Sequence, residues 1–152
     1  MAKKLADWSP ADVALAAEQA ACEARENFWA FRRYMRPNMM WGWFVERISI
    51  ELQMFHADMV AGKRPVLAMM TPPQHGKTTA VEDYIAWLSG RHPDWKVIYA
   101  SYSDELGVQR NLNLQRTIQS PRYRGIFNTR IGSPGFQTNN NVVEYVGHPA
   151  AL

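Results

Sequence analysis

The sequence predicts an α/β fold, with a helical lead-in of two helices at residues 1–62 and an incomplete parallel β-sheet starting at residue 63. Two short apolar runs, at residues 66–70 and 96–100, are typical of strands that are buried on both faces of a parallel sheet. A segment with helical periodicity lies between them, at residues 77–89, which fits one β-α-β crossover.

The first helix of the lead-in has a clear start signal. Ser9 is a capping residue, Pro10 suits the first helical position, and Asp12 completes a capping box. The helix should extend to about Tyr34, because Pro37 cannot continue it. We interpret the arginines near its end as a solvated face favoured by the helix dipole: Arg25, Arg32, Arg33 and Arg36.

The second helix of the lead-in is predicted over residues 45–61 and should end at Gly62. Its apolar residues recur at helical spacing and predict a stripe that faces the core: Ile48, Leu52, Phe55 and Met59. Further along the chain, Ser103 is expected to cap a helix that extends to about Gln119. A short strand is predicted over residues 142–146, and residues 147–152 show no usable pattern.

Composition excludes several classes of protein. With 47% hydrophobic and 20% charged residues, the chain is not disordered, and its net charge of +3 leans weakly toward a polyanionic partner. The single cysteine, Cys22, excludes an internal disulfide framework and a cysteine-based zinc site. No apolar run is long enough to span a membrane and the start has no signal-peptide pattern, so a reducing cytosol is the expected location.

The segment that carries chemistry lies between the first predicted strand and the helix at residue 77. Gly76 lets the backbone approach an anion closely, Lys77 supplies a cation for the β- and γ-phosphates, and the Thr78 hydroxyl suits Mg²⁺. The segment therefore predicts a phosphate-binding loop in a P-loop NTPase-type parallel sheet, although the strict pattern has glycine where Thr71 stands. The candidate nucleotide-binding residues are Thr71, Pro73, Gln74, His75, Gly76, Lys77, Thr78 and Thr79.

His75 has two interpretations: it orients a phosphate or a water, or, as we prefer, it only satisfies hydrogen bonds within the loop. The other histidines do not form a metal-ligand spacing. ATP hydrolysis also needs an acidic residue at the end of a second core strand, and no such Walker B strand is recognisable here. The sequence therefore supports nucleotide binding better than turnover.

Six blocks of this sequence jointly resemble the start of the ATPase domain of tailed-bacteriophage terminase large subunits. The resemblance covers about residues 41–127, and the blocks are residues 55–56, 65–67, 72–79, 86–93, 97–106 and 120–127. It implies a P-loop ATPase that uses ATP and Mg²⁺ to drive viral double-stranded DNA into a capsid. Because such subunits have several hundred residues, we expect the Walker B strand and the nuclease domain to lie beyond Leu152 and interpret the chain as truncated, frameshifted or split.

The resemblance also assigns roles, partners and a location. Lys77 and Gln74 fall at catalytic positions, although the family usually has arginine where Gln74 stands, and Thr78 falls at the Mg²⁺ position. Gln53 is the candidate for the adenine-contacting glutamine, with a polar position on a core helix as the alternative. The implied partners are viral DNA, the portal protein, the small terminase subunit and further copies of the chain. The implied location is the bacterial host cytoplasm, at the procapsid portal, with no membrane involved.

A local excess of basic residues after the second predicted strand fits contact with DNA phosphates. The candidates are Arg110, Arg116, Arg122 and Arg124, with a solvated surface as the alternative for each. Two other functions stay open: an inactive fragment or interaction module, and a helicase-like P-loop ATPase that acts on nucleic acid outside packaging.

Overall fold

A computed structural model describes residues 8–132 and 145–146 of the chain. The described part consists mainly of helices and has one pair of two-residue strands. In chain order the elements are α1 (Pro10–Glu26), α2 (Phe28–Met35), α3 (Trp43–Val60), α4 (Lys77–Arg91), α5 (Asp104–Gln119), α6 (Pro121–Ile126), β1 (Arg130–Ile131) and β2 (Tyr145–Val146).

The predicted α/β fold with an incomplete P-loop NTPase-type parallel sheet is wrong. Neither residues 66–70 nor residues 96–100 form a strand, and β1 and β2 pair antiparallel, with Arg130 opposite Val146. The physical reason is the lack of a neighbour: a strand exists only where its backbone groups bond to another strand. The side chains of Val66, Met70 and Ile98 are 94–95% exposed, so these apolar runs are not buried on both faces.

Local helix signals are confirmed where they depend on neighbouring residues only. The Ser9 side chain accepts a hydrogen bond from the Asp12 amide, and the Asp12 side chain accepts one from the Ser9 amide. After α3, Gly62 takes a left-handed conformation with φ of 76° and its amide bonds back to Met59. Helices α4 and α5 also begin at the predicted positions.

The first predicted helix is two helices, so three helices precede residue 63. The break is at Asn27, whose extended backbone ends α1 while its side chain accepts a hydrogen bond from the Ala30 amide and caps α2. The turn directs Phe28 and Phe31 into the core, where both are fully buried.

Helix α4 is the centre of the hydrophobic core. Every residue from 82 to 89 is buried, and α4 contacts α1, α2, α3 and α5. Trp87 is fully buried and its indole donates a hydrogen bond of 3.1 Å to the Ala24 carbonyl in α1. From α6, the Tyr123 hydroxyl donates one of 2.9 Å to the Ala86 carbonyl. The helices before and after residue 63 therefore share one core.

A buried ion-pair network joins α2 to α4. Arg32 is fully buried, and its Nε lies 3.1 Å from Oδ2 of Asp83, a carboxylate that is only 1% exposed. Arg36 binds both oxygens of the same carboxylate, through contacts of 2.7–3.0 Å. The expectation of a solvated arginine face is therefore wrong for Arg32, because the spacing of four residues from Phe28 places it on the core side of the helix.

The predicted strand at residues 142–146 is confirmed only for its last two residues, since residues 142–144 lie outside the described part of the chain, as do residues 147–152. Among the described helices, none combines the length and apolarity that a membrane span requires.

Candidate functional site

The loop before α4 has the backbone geometry of an anion cradle. Gly76 is the N-cap of α4 and has φ of 74° and ψ of 14°, the left-handed region in which glycine is favoured. Two residues earlier, Gln74 has φ of 63° and is the one left-handed residue other than glycine in the described part of the chain. Left-handed residues within a turn direct successive N–H groups to one side, which forms a concavity for anions.

The amides of this loop are available to a ligand. In the described residues, none of the backbone amides from Gln74 to Thr79 donates a hydrogen bond to another residue. The first amides of any helix lack partners, but here the unpartnered run begins three residues before α4 starts. Six consecutive N–H groups therefore lie at the positive end of the α4 dipole, which favours a negatively charged oxygen.

Lys77 folds over this loop. Its Nζ donates a hydrogen bond to the carbonyl oxygen of Thr71, the residue at which the loop begins. The Thr71 hydroxyl oxygen is buried and has no hydrogen-bond partner among the described residues. The Lys77 ammonium and the unpartnered amides thus belong to one small loop, which also contains the unsatisfied Thr71 hydroxyl.

The lead-in supports the loop from one side. The Phe44 ring of α3 meets the His75 ring edge-on, with centroids 5.8 Å apart. Nδ1 of His75 lies 2.8 Å from the Pro73 carbonyl oxygen, and because a carbonyl only accepts, Nδ1 is the donor. His75 therefore stabilises the turn itself, as the sequence interpretation preferred.

The two acids that follow the loop within α4 already have partners. Asp83 binds Arg32 and Arg36, and Glu82 lies 3.2 Å from Arg110. Moreover, the described residues contain no group of three or more potential metal ligands among histidine, cysteine and acids. The loop thus fits a phosphate chain, and neither of these two carboxylates is free to position Mg²⁺ or an attacking water.

Gln53 lies at the junction between α1 and α2. Its Oε1 accepts a hydrogen bond of 2.7 Å from the Phe28 amide, and its Nε2 donates one of 3.4 Å to the Glu26 carbonyl. The amide of Gln53 is therefore bound to the backbone on both sides of the helix break.

The four arginines predicted to contact DNA do not line one common cavity. Arg110 pairs with Glu82 and lines a cavity of about 360 Å³ between α4, α5 and residues 97–103. Arg116 and Arg122 line a different cavity, at the ends of α5 and α6. Arg124 is exposed on α6 and lines neither of these cavities.

Sequence reasoning missed Arg36 as a member of this second cavity. Its signal was present: Arg32 and Arg36 are spaced four residues apart on the same helical face as Phe28, and a buried arginine needs an acidic partner. The partner, Asp83, lies in α4. The periodicity of this helix predicts one buried side and one exposed side, and it does not predict that Asp83 is buried. Burial lowers the pKa of Arg32, whereas the hydrogen bonds that Arg36 donates to Asp83 raise the pKa of Arg36.

Two histidines pair at the opposite end of α4 from the loop. Nε2 of His56 in α3 lies 2.9 Å from Nε2 of His92, and the His92 ring stacks on Trp95 with centroids 4.0 Å apart. Burial, helped by the charges of His92 and Arg91, lowers the pKa of His56 from 6.5 to about 4. Since 15 residues of helix span about 22 Å, this pair is remote from Lys77.

Comparison of the chain with protein-family models, with curated proteins and with solved structures finds no match.

Proposed function

We propose that residues 71–79 bind the triphosphate of ATP and that the chain is the ATP-binding portion of a tailed-phage terminase large subunit. The observation that carries the first part is the run of six amides, from Gln74 to Thr79, that donate no hydrogen bond among the described residues and share one loop with the Lys77 ammonium. Hydrogen bonds from amides and an ammonium to phosphate oxygens are charge-assisted, and they are stronger than bonds between neutral groups.

Each residue of the loop has a chemical role in this proposal. Lys77 exchanges its bond to the Thr71 carbonyl for phosphate oxygens, because an anion is the better partner for an ammonium. Gly76 keeps the cradle open, and the exposed Thr78 hydroxyl is available to Mg²⁺ bound to the nucleotide. Gln74 adds an uncharged hydrogen-bonding side chain at the catalytic position that the family resemblance assigns.

Binding, rather than hydrolysis, is the activity proposed for this chain taken alone. Glu82 and Asp83 are held in ion pairs, so neither is free to position a water. Turnover therefore needs a carboxylate other than these two.

The assignment to DNA packaging rests on the family resemblance over residues 41–127. It brings double-stranded viral DNA, the portal protein and the small terminase subunit as partners, and the procapsid in the bacterial host cytoplasm as the location. The helicase-like alternative shares the phosphate loop. Association with portal protein, rather than with a replication fork, separates the two.

The test is ATP affinity, measured by calorimetry with and without Mg²⁺, for the wild type, Lys77→Ala and a matched control. Lys96→Ala is the control, because Lys96 is exposed and lies outside the loop. We expect Lys77→Ala to weaken ATP binding at least tenfold and Lys96→Ala to leave it unchanged. Equal affinity in all three proteins, or no binding to the wild type, would overturn the proposal.

A second function, an interaction module, is favoured by the exposed apolar side chains of two segments that are neither helix nor strand, residues 66–70 and 96–102. Val66 and Met70 in one segment, and Ile98 and Tyr102 in the other, are each more than 90% exposed. Apolar exposure of this kind marks surfaces that bind other proteins. Self-association that is abolished by Val66→Ser with Ile98→Ser, in a protein with no affinity for ATP, would favour this function over nucleotide binding.

A further inference from the structure

The second cavity brings together cationic side chains from three helices and one acidic side chain from a fourth. It has a volume of about 250 Å³. The end of α2 contributes Arg36, α4 contributes Asp83, the last turn of α5 contributes Arg116, and α6 contributes Arg122. None of the residues of the loop at 71–79 lines it, so it is separate from the candidate nucleotide site.

The charge of this cavity is not neutralised from within. Asp83 is the one acidic side chain that lines it, and that carboxylate already binds both Arg32 and Arg36. Arg116 and Arg122 make no ion pair with the described residues: each bonds instead to a neutral oxygen, of Asn113 or of Tyr34. The three guanidinium groups that line the cavity, of Arg36, Arg116 and Arg122, and this one carboxylate leave a net charge of +2 among the lining side chains.

The arginines are held in place by contacts that keep their other N–H groups available. Arg36 uses Nε and Nη2 on Asp83, which leaves Nη1 outside that pair. Arg122 donates from Nη1 to the Tyr34 carbonyl at 2.8 Å, which anchors its guanidinium beside the end of α2. A guanidinium offers five donors, so each group retains donors for a ligand.

We infer that this cavity binds a phosphate group. Arginine forks that approach from three helices suit a tetrahedral anion with several oxygens better than a single planar carboxylate, and arginine binds phosphate bidentately. The two hydroxyls of the wall do not add donors, because Thr117 and Ser120 already donate to backbone carbonyls. Recognition therefore depends on the arginines.

The phosphate has two sources, a free phosphate and the backbone of nucleic acid, and the shared chemistry is the phosphate oxygens. The experiment titrates the full chain with inorganic phosphate and, separately, with a short labelled DNA duplex. It compares the wild type with Arg116→Gln/Arg122→Gln, whose positions are exposed, so that the buried Arg32–Asp83 pair is left intact. Arg33→Gln/Arg47→Gln is the control, since it removes the same charge from exposed positions elsewhere.

We expect the cavity variant to bind at least one of the two probes at least tenfold more weakly than the wild type, with the control unchanged. Weakened binding of inorganic phosphate supports the cavity and identifies a free phosphate as its ligand. Weakened DNA binding, with phosphate as a competitor in the wild type, supports it and identifies the nucleic-acid backbone. The inference is overturned if the wild type binds neither probe, or if the control loses as much affinity as the cavity variant.

The Lys77→Ala variant separates this site from the proposed nucleotide loop. The cavity does not include Lys77, so this variant should bind the effective probe with wild-type affinity. Loss of probe binding in Lys77→Ala, with none in the cavity variant, would place the phosphate in the loop and overturn the inference while leaving the proposed function standing.

Discussion

The helical body around α4 and the two segments at residues 66–70 and 96–102 contain similar apolar residues, but these residues are buried in the helical body and exposed in the segments. Trp87 and Ile85 in α4 are buried, whereas Val66 and Ile98 in the segments are 94–95% exposed. The difference follows from hydrogen bonding. A helix satisfies its backbone within itself and needs only one neighbour to bury its apolar side chains, whereas an extended segment needs partner strands for both purposes.

The most severe change to the helical body is Trp87→Ala. This side chain is fully buried and donates to the Ala24 carbonyl, so its removal should lower the free energy of unfolding by about 4 kcal/mol. Ile98→Ala, in an extended segment, should change it by less than about 0.5 kcal/mol. Urea denaturation measures both. A large loss in Ile98→Ala would mean that this segment is buried in the protein in solution.

Asp83→Ala should be nearly as destabilising, by about 3 kcal/mol, because it leaves the fully buried Arg32 without its carboxylate. The matched change is Glu51→Ala, which breaks the exposed pair with Arg47 on α3 and should cost less than about 0.5 kcal/mol. Thermal unfolding of the two variants makes the comparison. Similar melting temperatures would contradict the burial of the Asp83 network.

Acid should destabilise the helical body through His56. Its folded pKa, about 4, lies below the unfolded value of 6.5, so the unfolded state binds more protons between these values. The contribution of His56 to stability is therefore fully present above about pH 6.5 and is lost as the pH falls toward 4.

The check on this acid effect is urea denaturation at pH 7.0 and at pH 4.5, for the wild type and for His56→Phe. The variant has no imidazole to protonate in the unfolded state, so its stability should change less between the two pH values. An identical loss in both proteins would show that other groups cause the acid effect.

The smallest expected effects lie at glycines, and they differ in sign. Gly76→Ala should destabilise the protein by about 1 kcal/mol, because φ is 74° there. Gly107 lies within α5, where an added Cβ would make only an ordinary contact of 3.7 Å with Ser101, so Gly107→Ala should stabilise by about 0.5 kcal/mol. The urea denaturation midpoint should be lower than that of the wild type for Gly76→Ala and higher for Gly107→Ala. A neutral Gly76→Ala would argue against the left-handed N-cap.

The parts of the fold that could be predicted from the sequence are those set by adjacent residues. The Ser9–Asp12 capping box, the turn at Gly62 and the start of α4 at Lys77 each depend on neighbours along the chain. The break at Asn27 was missed because the alanine-rich pattern before it continues smoothly, although asparagine is a strong capping residue.

The parts that could not be predicted depend on distant residues. The apolar runs at residues 66–70 and 96–100 were interpreted as strands. Whether such a run forms a strand depends on whether another strand is available to pair with it, which the run itself does not show. In the candidate site, the loop position and Lys77 were predicted, whereas the pairing of Arg36 with Asp83 joins residues 47 positions apart. The sequence interpretation placed Arg32 on a solvated face, whereas in the structure it is buried against an acid that spacing along its own helix does not identify.

The most direct test of the phosphate loop is the backbone amide NMR spectrum during titration with MgATP. The account predicts that the largest shifts belong to the amides of residues 74–79 and that Lys77→Ala abolishes them. If those amides do not move while the wild type binds ATP, or if it binds no ATP at all, the loop is not a phosphate site.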